Sequence, residues 1–264
     1  MKTIAIDAGH GHYTAGKRCS KALDPLQTRE HDLNDRVADR VEAYLAAYDC
    51  RVLRTDDTTG AKDISLAARV KAANAAKADI FVSIHHNAGC GNTASGGTVV
   101  YHYGGTERAA QAVKLYKHVI NRTGLIGNRS RVVIKYGYYV LKKTNMPAFL
   151  LENGFMDSST DVPIILTAEH ADKTAQGIVA FLVETLSLKP KAAVNEPQTG
   201  SQTYPAYKGA KTTLSAALKA VGVDASFTHR KKIAAANRIS GYTGTAAQNT
   251  RMYNLLVAEM LIRA

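Results

Sequence analysis

Residues 79–84, Asp-Ile-Phe-Val-Ser-Ile, are almost unbroken apolar sequence, with helical patterns on both sides. A short run of this kind, rich in β-branched and aromatic residues, predicts a strand buried on both faces, as in a parallel sheet covered by helices. The alternation recurs along most of the chain. Residues 2–7 read as a first strand. Leu33, Val37, Val41 and Leu45 then recur at four-residue steps, with Tyr44 and Tyr48 alongside, and predict an amphipathic helix over 32–48. A short strand at 51–54, an Ala-rich helix over 64–77, a strand at 97–103 and a helix over 106–122 follow. Residues 131–141 are β-rich but broken by Gly137, 148–151 are a buried strand, and 173–186 close the region as a helix. Strands alternating with helices predict an α/β fold: a twisted, mainly parallel sheet with helices on both faces.

The pattern then changes. Residues 189–203 contain two Pro among mostly small or polar residues and read as a linker. Beyond it, 211–221, 229–239 and 247–262 have helical composition, separated by Gly222 and by the turn at Gly241-Tyr-Thr-Gly244. The expected organisation is a domain over 1–188, a linker over 189–203 and a small, mostly helical domain over 204–264.

The formal net charge of +12 is unevenly spread: residues 204–264 hold 9 Lys and Arg against 2 Asp and Glu. That excess suits an anionic partner such as a wall polymer, nucleic acid or a lipid surface. Cys19, Cys50 and Cys90 show neither CxxC spacing nor a disulfide framework and read as reduced structural thiols. No apolar stretch is long enough to cross a bilayer. The N-terminus runs directly into a strand with no apolar leader or cleavage site, so synthesis in the cytosol is expected.

Four residues stand out against this frame. His10, His85 and Glu152 each fall just past the C-terminal end of an expected strand, the edge at which open α/β sheets bind ligands. Glu30 lies in the connection after the first strand, just before a helix, and could reach the same edge. Two His and one carboxylate leave a fourth position of a tetrahedral zinc open to water, as hydrolytic sites do. Glu152, directly after Phe-Leu-Leu, needs a metal or a partner to be tolerated. Each residue has a plainer reading. Glu30, like Asp32 and Asp35, could simply favour a helix N-terminus. His85 and His86 point to opposite faces of a strand, so at most one faces inward, and the pattern alone does not say which. Cys90, as a fourth ligand, would close the open position.

Together, Ile-Asp-Ala-Gly-His10-Gly, Glu30 with Asn34, Ser83-Ile-His85-His86-Asn87-Ala and Leu151-Glu152-Asn-Gly-Phe-Met resemble the zinc-dependent N-acetylmuramoyl-L-alanine amidases of the type 3 group, over roughly residues 1–187. The resemblance implies one zinc ion held by His10, Glu30 and His85, with Glu152 as the catalytic acid/base. It makes Asn87 and His86 candidate substrate contacts. The substrate it implies is peptidoglycan, cut between the muramic acid lactyl group and L-alanine. Two positions depart from the family pattern: His12 stands where a second Gly is common, and His86 where a small residue is. Either could be an additional ligand. Residues 89–97 hold no counterpart of the family's regulatory helix, which implies activity without an activator.

The C-terminal segments 229–237 and 241–249 resemble wall-targeting modules of phage and prophage endolysins. By that likeness the chain accumulates in the cytosol of the producing cell and reaches the wall of a Gram-positive host after holin-type release. Its partners would be peptidoglycan and an anionic wall polymer, with neither nucleic acid nor membrane insertion involved. The C-terminal module could also support a homo-oligomer. The rivals are a zinc peptidase cutting within the stem peptide and a protein that binds nucleic acid through its basic tail.

Overall fold

The computed structural model describes residues 1–191, 203–237, 239 and 242–264. Two units separate along the chain, Met1–Lys191 and Ala192–Ala264.

The first unit is built on strands β1 (Lys2–Ala8), β2 (Cys50–Arg54), β3 (Ile80–Asn87), β4 (Thr98–His102), β5 (Val133–Lys135) and β6 (Ala148–Phe155). They form one sheet in the order β2-β1-β3-β6-β4-β5. Its helices are α1 (Glu30–Leu45), α2 (Leu66–Ala75), α3 (Thr106–Thr123), α4 (Tyr139–Lys143), α5 (Val162–Ile165) and α6 (Ala168–Leu186). Alternation along the strands divides the core in two. Ile4, Ile6, Ile80, Val82, Ile84, Phe149 and Leu151 face α1, α3 and α6. Ala5, Phe81, Ala148 and Leu150 face α2 and α4. Burial on both faces explains why the central strands read as continuous apolar runs rather than as alternating ones.

The α/β class and the covering of both faces match the sequence expectation; several boundaries and one strand direction do not. All strand pairs are parallel except β4 with β6. The connection over 88–97 holds no helix to carry a parallel crossover, so β4 returns antiparallel on the far side of β6. Residues 131–141 yield only the three-residue β5 before the chain turns into α4. Helix α6 starts at Ala168 rather than 173, because the Thr167 side chain caps it by accepting from the His170 N–H. Glu30 is the first residue of α1, not part of the preceding connection. Strands β3 and β6 also run past their apolar stretches, so His85 and Glu152 lie within strands. Backbone pairing continues where hydrophobic periodicity stops.

The expected linker falls outside the described residues from 192 to 202. Just before them, Lys189 O accepts from Asp49 N–H and Lys191 N–H donates to Ala47 O, which ties this stretch to the first unit.

The second unit contains α7 (Leu214–Ala220), α8 (Phe227–Ala236) and α9 (Ala246–Val257). They bury Leu214, Leu218, Ile233, Met252 and Leu256. The side chains of Thr213, Ser226 and Thr245 cap the three N-termini, and Gln248 completes a capping box on α9. No helix among the described residues is long and apolar enough to cross a membrane.

Candidate active site

The parallel register aligns Ile84 with Leu151 and His85 with Glu152, so the latter pair are neighbours on one face of the sheet, the face that carries α2 and α4. The β1 ladder runs one residue further, through Gly9 N–H to Ile84 O at 3.0 Å, and brings His10 to the same edge. Two details permit this closeness. A Cβ on Gly9 would collide with the His85 ring. His10 itself adopts φ 65°, a left-handed conformation that must be held in place for a non-glycine residue.

Arg69 holds it. This buried guanidinium donates to Ala8 O at 2.8 Å and His10 O at 3.1 Å, on either side of the turn. It is paired with Asp7 at 2.7 Å, and Asp7 accepts in turn from Ser83 and Thr55.

Helix α1 supplies the third residue. Its first turn directs Glu30 inward, while Asn34 Nδ2 donates to Gly9 O at 3.1 Å and His31 Nδ1 donates to the same oxygen at 3.2 Å. The Glu30 carboxylate is 1% exposed. Its Oε1 lies 2.9 Å from His85 Nδ1 and accepts from the His86 N–H at 3.3 Å. Its Oε2 lies 3.3 Å from His10 Nε2 and 3.8 Å from Lys17 Nζ, with no hydrogen bond of its own. The His10 and His85 rings meet edge to face at 5.0 Å. One ligand atom from each of His10, Glu30 and His85 lies within 4.8 Å of the others, as one metal ion requires.

The electrostatics agree with this use. Burial pushes the Glu30 carboxyl up, but the His10 and His85 rings outweigh it and hold it well below the usual carboxylate range. Burial lowers His85, and Glu30 more than reverses that. Glu30 therefore draws positive charge to this point, which a divalent cation can supply. The donor set of two imidazoles and a carboxylate, with one carboxylate oxygen lacking a hydrogen bond, fits such an ion. Glu152 behaves in the opposite way. Its side chain is buried with Oε2 unpartnered, and burial, reinforced by the Glu30 charge against the pull of His85, pushes its carboxyl up to about 7. A carboxyl that exchanges its proton near neutrality is suited to general acid/base work.

His10, His85, Glu152 and Lys17 all line one cavity of about 590 Å³, with Ser65 and Leu66 from the start of α2 and Tyr138 and Tyr139 from the start of α4. The other sequence candidates lie elsewhere. His86, expected to touch substrate, is corrected: alternation turns it to the opposite face, where it is 3% exposed and its Nδ1 donates to Asn34 Oδ1 at 2.8 Å. Burial, and then the neighbouring His170, push its ring down to about 3 and keep it neutral. Asn87 is not among the cavity-lining residues, since a bulge between His85 and Asn87 breaks the alternation that would align it with His85. His12 pairs with Asp32 at 2.7 Å, and Cys90 Sγ accepts from Arg129 at 3.3 Å; neither joins the His10–Glu30–His85 group. Sequence reasoning missed Arg69, Lys17 and Tyr138. Only the Tyr-Gly-Tyr-Tyr run at 136–139 offered a visible signal.

Known proteins resemble this chain in sequence and fold. The family described as N-acetylmuramoyl-L-alanine amidase matches residues 4–184. The amidase LytC of Bacillus subtilis is 32% identical over 180 residues, covering 67% of this chain and 34% of LytC, so the chain spans about a third of that relative's length. The endolysin of Bacillus phage SPP1 is 30% identical over 204 residues, covering 75% of this chain and 70% of the endolysin. Among solved structures, the catalytic domain of the amidase CwlV from Bacillus (Paenibacillus) polymyxa var. colistinus superposes with a TM-score of 0.63 at 31% identity, covering 72% of this chain and 100% of that domain.

Proposed function

Because the chain belongs to the N-acetylmuramoyl-L-alanine amidase family, we propose that it hydrolyses the peptidoglycan amide between the lactyl group of N-acetylmuramic acid and L-alanine of the stem peptide. The observation that carries this reading is the convergence of His10, Glu30 and His85 within ligand distance of one another, with His10 and His85 lining one cavity together with the buried, raised-pKa Glu152.

In this reading His10, Glu30 and His85 hold a zinc ion. Such an ion, when bound, polarises a scissile carbonyl and lowers the pKa of water from about 15.7 towards about 7. The residues of the chain do the rest. Arg69 and Asn34 fix the backbone around His10, which keeps the ligand set in register. Glu152 takes a proton from the attacking water as its oxygen bonds to the lactyl carbonyl carbon. It then passes that proton to the alanine nitrogen as the C–N bond breaks. The products are a free lactyl carboxyl and a free alanine amino terminus. Burial of Glu152 keeps its carboxyl near neutrality, so that it can both accept and donate.

We further propose that the chain acts as an endolysin, reaching the wall after holin-type release, with residues 204–264 as its wall-binding module. The likeness to the SPP1 endolysin supports this, as does the basic excess of the C-terminal unit, which suits an anionic wall polymer.

The test is a digest of purified Gram-positive peptidoglycan with and without chelator, followed by identification of new chain ends. New alanine amino termini without new reducing sugars, lost on chelation and restored by zinc, are expected. New ends inside the stem peptide would make the enzyme a zinc peptidase. Chelator-insensitive release of reducing sugars would remove the metal from the mechanism.

A further inference from the structure

The chain has 13 tyrosines and no tryptophan. Five of the tyrosines gather where the chain leaves the sheet after β5 and enters α4. The rings of Tyr136 and Tyr138 lie 4.5 Å apart, those of Tyr101 and Tyr138 5.1 Å, and those of Tyr101 and Tyr136 6.2 Å. Tyr138 and Tyr139 line the same cavity as His85 and Glu152. Yet Tyr136, Tyr139 and Tyr103 remain 55%, 43% and 40% exposed. Aromatic rings normally contribute their area to a core. Several that stay open to solvent beside a cavity mark a surface waiting for a ligand.

The sheet order tells which part of a substrate meets them. Strands β3 and β6, which carry His85 and Glu152, lie between β1 on one side and β4–β5 on the other. The reacting centre therefore has His10, with Lys17 near it at Glu30, on the β1 side. The Tyr136 and Tyr138 rings lie on the β4 side against Tyr101, before α4 turns back across the sheet to pack on α2. A muramoyl peptide divides at its scissile amide in a matching way. One half carries peptide carboxylates, which suit the Lys17 side. The other half is a pyranose, whose flat face of C–H bonds carries slight positive charge and packs on the negative face of an aromatic ring.

We propose that Tyr136, Tyr138 and Tyr139 form a stacking subsite for a sugar ring of the glycan strand, which orients the substrate with its peptide towards Lys17. The proposal rests on the amidase reading and adds to it a direction for the bound substrate. Gly137, between Tyr136 and Tyr138, is exposed, and a Cβ there would meet only Tyr103, at 3.9 Å.

Two measurements on the full chain test it. In the first, peptide-free GlcNAc–MurNAc disaccharide is followed by saturation-transfer NMR. Its ring protons are expected to receive saturation from the wild type, to lose it with Tyr136→Ala/Tyr139→Ala, and to keep it with Tyr136→Phe/Tyr139→Phe. In the second, kcat/KM is compared for a disaccharide-peptide and for an N-lactoyl-L-alanyl peptide without the sugar. The alanine double variant should lose about ten-fold on the first substrate and less than about two-fold on the second. Unchanged saturation in the alanine variant, or equal losses on both substrates, would overturn the subsite. If the wild type frees no alanine amino terminus from either substrate, the amidase reading fails instead, and the disaccharide experiment still decides the subsite.

Discussion

Glu152 is the residue at which folding and chemistry pull in opposite directions. Its carboxyl is pushed from an ordinary 4.5 to about 7, mainly by burial. The folded protein thus holds this proton more tightly than the unfolded chain does. The associated stabilisation is fully present below about 4.5 and is lost as pH rises through about 7, where a buried charge must be tolerated. Glu152→Gln should therefore stabilise the metal-free protein at pH 8, by at most about 3 kcal/mol, and leave it almost unchanged at pH 4. Urea denaturation of chelated samples at the two pH values measures this, and equal midpoints at pH 8 would contradict it. The same variant should lose about 10²–10⁴-fold in turnover while still binding zinc. At this scale much was legible in advance. The sequence placed His10, Glu30, His85 and Glu152 at one edge, and the structure brings all four there. Arg69 was not legible, because a lone Arg in an Ala-rich helix looks like a surface charge until its partner Asp7, 62 positions away, is in place.

At the scale of elements, the site depends on how firmly α6 holds β6. Phe181 of α6 packs edge to face on Phe149 of β6 at 5.6 Å, and both are fully buried. Phe149 lies three positions before Glu152 on the same strand, so the helix braces the strand that presents Glu152. Phe181→Ala should cost about 3–5 kcal/mol, read from the denaturant midpoint. A loss below about 1 kcal/mol would mean that the site's strand is supported elsewhere. The apolar spacing that creates this contact was readable from sequence as a helix, though its first turn was not, since the Thr167 cap lies outside the periodic stretch. The reversal of β4 was equally hidden. Hydrophobic pattern reports which residues are buried, and a strand flanked by the core looks the same in either direction.

At the scale of the whole molecule, chemistry and charge are assigned to different units. The cavity belongs to Met1–Lys191, and the strongest basic excess to the last sixty or so residues. Removing 204–264 should weaken sedimentation with purified cell walls, more so at low salt than at high salt, while cleavage of soluble muropeptide persists. Unchanged wall sedimentation would remove the targeting role.

The strand order has a further consequence for how such a chain is made. The three metal-ligating candidates all lie within the first 85 residues, yet β6, the strand that carries Glu152, must insert between β3 and β4 after both have been synthesised. A nascent chain leaving the ribosome thus completes its candidate ligand set while the proposed base is still untranslated. On the proposed reading hydrolytic competence arrives only with the strand that closes the sheet, so a chain terminated before Glu152 is inert towards any wall it meets.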